Sequence, residues 1–76
     1  MVLSQPTCGR LIRDIRLNLG LSQEDFASLI GVTFSTVNRW ENGHSIPSRL
    51  AVKNLEQQLI EMGERGKELL NKHSSH

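Results

Sequence analysis

Gly31 sits between two short amphipathic runs with only Val32 and Thr33 to complete the turn, and this corner restricts the fold more than any other part of the chain. Ser22 is placed to cap a helix over Gln23 to Ile30, its hydroxyl accepting from the free backbone N–H of Asp25, while Glu24 and Asp25 favour the positive helix end. Phe26, Ala27, Leu29 and Ile30 recur at helical spacing and define an inward stripe. Ala27 is small where a second helix must cross closely. Gly31 turns the chain through positive φ without a Cβ clash, and Val32 plugs the space between the helices. Thr33 then caps a second helix over 34–42, in which Val37 and Trp40 point to the core. Ser35, Asn38, Arg39 and Asn42 fall on the opposite, polar face.

Two helices joined so tightly have the spacing of a helix-turn-helix over 22–43. Leu21-Ser22-Gln23-Glu24-Asp25-Phe26-Ala27, Ile30-Gly31-Val32 and Val37-Asn38-Arg39-Trp40-Glu41-Asn42-Gly43, with Pro47 beyond, resemble the Cro/C1-type (XRE) family of bacterial and phage repressors from Leu19 to about Leu55. The resemblance implies an all-α, lambda-repressor-like bundle of four or five helices. It also implies a sequence-specific double-stranded DNA-binding regulator of transcription whose helix 34–42 enters the major groove. By the same resemblance, Gln23 holds a backbone phosphate, Glu41 pairs with Arg16 and orients it toward a phosphate, and the position of Phe34 reads a base through a polar side chain. Phe34 departs from that pattern. A phenyl ring there either meets a thymine methyl or folds back over the helix start, and the second reading is favoured.

The remaining chain reads as one domain, 1–76. At 76 residues it supports a single thin core. A hydrophobic content of 37%, no Tyr and two Pro suit helices, and no stretch alternates long enough for a strand. The lone Cys8 excludes an intrachain disulfide and is a small buried residue; no apolar run is long enough for a signal peptide or a membrane span, which places the chain in the cytoplasm. Thr7 is expected to cap a first helix over Cys8 to Leu19, with Leu11, Ile12, Ile15 and Leu19 inward and Gly20 stopping it. After the loop His44-Ser45-Ile46-Pro47, Ser48 or Pro47 opens a C-terminal helical extension over about 48–72. Its first helix runs to about Met62, Gly63 and Gly66 interrupt it, and Glu64 to Lys72 form a last short helix with Leu69 and Leu70 inward before a frayed end from Asn71.

Nine Lys and Arg against eight Asp and Glu leave a net charge of only +1, so bulk electrostatics do not indicate DNA; the expectation is a shallow salt dependence and weak non-specific binding. Recognition must come from local donors. Arg39, one turn from Ser35, carries the parallel donors that fit guanine O6 and N7, and the Asn38 amide fits adenine N6 and N7. Phe34, Ser35, Asn38 and Arg39 are therefore the candidate base contacts. Arg16, Gln23, Thr33, Thr36, Asn42, His44 and Arg49 are the candidate backbone contacts.

His44, His73, His76 and Cys8 offer no metal-ligand spacing, and no nucleophile has a base near it, so neither an enzyme nor a cofactor is expected. Val52, Leu55, Leu59 and Met62 make an apolar stripe, part of which must cover the motif helices; beyond Leu59 more apolar surface is expected than one small domain buries, which favours a homodimer over a monomer with a folded-back last helix. The alternative function is a protein-interaction adaptor or antitoxin-like partner that offers that stripe to a larger protein.

Overall fold

The computed structural model describes residues 8–74 of the chain. They form five helices: α1 (Cys8–Asn18), α2 (Gln23–Ile30), α3 (Phe34–Glu41), α4 (Arg49–Glu61) and α5 (Glu64–Ser74). The all-α expectation holds. The leader to Pro6 and the proposed Thr7 cap lie outside the described residues.

Each motif helix is punctuated as its local chemistry requires. Ser22 Oγ accepts from Asp25 N at 3.1 Å, Thr33 Oγ1 from Thr36 N at 3.2 Å, and Ser48 Oγ from Ala51 N at 3.2 Å. Each bond helps satisfy a first-turn N–H that lacks an i−4 helical carbonyl, and Thr36 N also reaches Thr33 O at 3.1 Å. Gly31 ends α2 at φ 88°, which lets its own N–H and that of Val32 both return to Ala27 O, at 2.8 and 2.9 Å. Asn54 of α4 donates to Ile30 O at 2.9 Å, so an end carbonyl of α2 that lacks a helical partner is closed from a third helix.

α1 packs on α3 and α5, α2 on α3, and α4 on α5. Leu11, Ile12, Ile15, Phe26, Val37 and Leu55 have no exposed surface, and Trp40 is almost fully covered. Two glycines set the closest approaches. A Cβ on Gly9 would lie 2.3 Å from Trp40 O, and one on Gly66 would lie 2.0 Å from Leu59 O. Neither distance is tolerable, so these glycines are what allow α1 to sit on the end of α3, and α5 on α4.

Four sequence readings require correction. Leu29 is 47% exposed: with Phe26, Ala27 and Ile30 buried, a residue at position 29 projects away from their common face. Phe34 is half exposed, so it does not fold back as core filling. Gly66 does not interrupt a helix; it lies inside α5, buried against α4. The expected fraying does not hold over 71–74, and 75–76 lie outside the described residues. Helix α5 continues to Ser74, and Lys72 Nζ and His73 Nε2 reach Asp14 Oδ2 of α1 at 3.2 and 2.7 Å. Burial raises the Asp14 carboxyl, but hydrogen bonds and charge from His73 and Lys72 outweigh it and leave the group below its ordinary value.

Candidate nucleic-acid interface

Helix α3 is held from beneath by its apolar side. Val37 and Trp40 are buried, which turns Ser35, Arg39 and the C-cap Asn42 outward, and all three are exposed. Helix α5 packs on α1 and α4 instead of on this face. A helix presented in this way fits the major groove, whose width of about 12 Å admits one helix.

The Arg16–Glu41 pair expected from the sequence is present and bidentate. Arg16 Nε and Nη2 donate to the two Glu41 oxygens at 2.8 and 3.0 Å, and Nη1 donates to Leu21 O at 3.0 Å. The two side chains are 13% and 6% exposed. Hydrogen bonding to Glu41 holds the Arg16 proton more firmly than usual, against the opposing effect of burial. Every guanidinium nitrogen of Arg16 is thus engaged within the protein.

Gln23 extends this network. Its Nε2 donates to Glu41 Oε1 at 3.1 Å while its Oε1 accepts from Asn38 Nδ2 at 3.2 Å. Asn42 Nδ2 in turn donates to Asn38 Oδ1 at 3.1 Å and Asn38 O at 2.9 Å. The result is a chain of side chains, Arg16–Glu41–Gln23–Asn38–Asn42, that runs from α1 across the start of α2 to the end of α3. After these bonds the Asn38 amide keeps one N–H and one oxygen lone pair, the set that adenine N7 and N6 demand. Gln23 likewise keeps one N–H for a phosphate oxygen.

At the leading end of α3 the Thr33 and Thr36 hydroxyls bond each other at 2.9 Å. Ser35 and the Phe34 ring remain the outward groups of that turn. Arg39 touches its surroundings only through a 3.5 Å approach of Nη2 to His44 O, which leaves its fork available. His44 and Arg49 are exposed in and just after the α3–α4 loop. Arg49 occupies the first turn of α4, where no acidic residue is present. A cation at the positive end of a helix is unfavourable by itself and becomes favourable when an anion such as a phosphate binds there.

Three features were not read from the sequence: the Asn54 tie, the Asp14–Lys72–His73 clasp, and the close approach at Gly9. Only the last has a local signal, a glycine inside a helix where no turn is needed. Among the described residues no group of three His, Cys, Asp or Glu side chains is placed to hold a metal, and no helix is long and apolar enough to cross a membrane.

Comparison with known proteins agrees with this geometry. No curated protein and no solved structure gives a match. A family model described as helix-turn-helix matches residues 12–59, from within α1 to near the end of α4. The chain belongs to the Cro/C1-type helix-turn-helix family of DNA-binding regulators.

Proposed function

We propose that the protein is a sequence-specific transcriptional regulator that reads a double-stranded DNA half-site with α3. The observation that carries this reading is the exposed Ser35–Arg39 edge of α3, with the uncommitted Arg39 guanidinium and an Asn38 amide fixed in orientation by Gln23 and Asn42. In this reading Phe34, Ser35, Asn38 and Arg39 face base edges. Gln23, Thr33, Thr36, Asn42, His44 and Arg49 follow the sugar-phosphate backbone. Arg16 acts through Glu41, keeping Gln23 in place, and its remaining exposed surface is small.

The protein works as a homodimer in this reading. A single module of this size buries about 600–1,000 Å² on DNA, which is marginal for specificity. A groove of about 360 Å³ between α4 and α5 is lined by Leu59, Ile60, Gly63, Gly66 and Leu70, with Glu56 and Lys67 also on its lining. Ile60 is 71% exposed beside it. A twofold contact sets the same patch against itself, and this patch offers Ile60 as a projecting group, the groove as a recess, and Glu56 and Lys67 as opposite charges.

Selection of bound duplexes from a randomised library, with the solution mass measured alongside, tests the proposal. Arg39→Ala should cost about 1–3 kcal/mol at one base position, whereas Gln23→Ala should weaken binding to all sequences alike. An unenriched library would end the regulator reading. Protein capture unaffected by Arg39→Ala would support an adaptor in its place.

A further inference from the structure

Phe34 is the group on the recognition helix whose chemistry differs most from its surroundings. Its ring is 50% exposed, on a helix whose outward side is otherwise Ser35, Thr36, Asn38, Arg39 and Asn42. The core is complete without it, since Val37 and Trp40 already cover the inward face of α3.

A phenyl ring neither donates nor accepts a conventional hydrogen bond. Of the groups displayed in the major groove, the C5-methyl of a pyrimidine is the apolar one, so it is the only feature the ring can recognise. Resting on the DNA-reading assignment above, we propose that Phe34 makes this protein a reader of a pyrimidine C5-methyl, carried either by thymine or by a cytosine methylated at C5. Five residues separate Phe34 from Arg39, about 7.5 Å along the helix axis, or roughly two base-pair steps of about 3.4 Å. The methyl-bearing base therefore lies within a few base pairs of the guanine that Arg39 reads. Methylation of a cytosine at that position would tighten binding, which gives the site a sensitivity to DNA modification that a polar residue at position 34 would not confer.

The test uses the full chain and the site selected from unmodified duplexes. Each thymine is replaced in turn by uracil, which lacks only the methyl, and at the responsive position cytosine and 5-methylcytosine are compared opposite guanine. Uracil should bind about fourfold more weakly than thymine at one position per half-site, the ratio expected for burial of one methyl-sized group. That position should lie within a few base pairs of the one at which Arg39→Ala loses discrimination, and Phe34→Ala should equalise the two bases there. A matching preference for 5-methylcytosine over cytosine assigns the methyl itself as the ligand; a preference for thymine over uracil alone assigns thymine as its source. If thymine and uracil bind equally at every position of an enriched motif, the methyl-reading proposal fails and the regulator assignment stands. If no motif is enriched, both fail. The uracil scan is made on the wild-type protein, so the result does not depend on how Phe34→Ala folds.

Discussion

Replacing Glu41 by alanine should be the most damaging single change to the polar framework of the domain. The substitution leaves the Arg16 guanidinium, 13% exposed, without the two charge-assisted bonds at 2.8 and 3.0 Å, and it frees Gln23 Nε2 from its acceptor. Removing one partner of a buried ion pair costs about 3–5 kcal/mol, because the survivor remains desolvated and unpaired. Some of Arg16 still meets water and Nη1 keeps its bond to Leu21 O, so the lower end, about 3 kcal/mol, is expected. A domain of this length has a total stability of about 4–11 kcal/mol. A loss of about 3 kcal/mol should lower Tm by roughly 12–24 °C, at 4–8 °C per kcal/mol for a domain of this size. Thermal unfolding followed by far-ultraviolet circular dichroism measures it. The double variant Arg16→Met/Glu41→Leu should recover most of the loss, because it removes the uncompensated charge along with its partner. A Tm for Glu41→Ala within about 3 °C of the parent would refute the reasoning and show that the pair behaves like a surface bridge of about 0–1 kcal/mol.

Gly9→Ala and Gly66→Ala should both destabilise despite the higher helix propensity of alanine, by about 1–3 kcal/mol each, since the new methyl would overlap a backbone carbonyl; chemical denaturation measures it, and a stabilised variant would contradict the close approaches. Asp14 titrates below its ordinary value when folded, so its contribution to stability is complete above the unfolded pKa of about 3.9 and disappears as pH falls through the lower folded value. Asp14→Asn should therefore lower Tm at neutral pH, and the gap to the parent should close on acidification toward pH 2; a gap independent of pH would rule out the clasp. Arg49→Ala should reduce the slope of log affinity against log salt by about 1 without changing the selected motif, as measured by titration at several ionic strengths.

What the sequence disclosed follows the range of the interactions. Caps, turns and stripes are local, so Ser22, Gly31 and Thr33 could be assigned from their neighbours, and each performs the expected task. The Arg16–Glu41 pair spans 25 residues and was legible only through family resemblance. The Asp14–His73 contact spans 59 residues with neither aid, and it was missed. Gly66 was misread for a physical reason: a glycine that relieves a steric approach between helices is indistinguishable in one dimension from a glycine that breaks one. Leu29 and Phe34 failed alike, because apolar character alone does not say which side of a short helix a residue occupies when the inward stripe is already filled. Which outward groups stay uncommitted depends on the hydrogen bonds through Gln23 and Asn38, which no spacing rule contains.

Ion pairing is unevenly distributed in this chain of net charge +1. Among the described residues Arg65 and Lys67 pair within α5, Lys72 pairs with Asp14, and Arg16 pairs with Glu41. Arg10, Arg13, Arg39, Arg49 and Lys53 form no ion pair among them, and four of these five precede residue 50. The unpaired carboxylates of that region, Glu24 and Asp25, stand in the first turn of α2 and are partly balanced by its dipole. Basic and acidic residues are thus nearly equal in number but unequal in availability. Arg16 and Lys72 are tied to carboxylates of other helices, while Arg39, Arg49 and Lys53 form no ion pair among the described residues. In the proposed DNA-reading role, formal net charge therefore understates the local potential at α3, because a pair at 2.8 Å contributes almost nothing a Debye length of about 8 Å away, whereas an exposed, unpaired arginine on α3 would act directly on the groove.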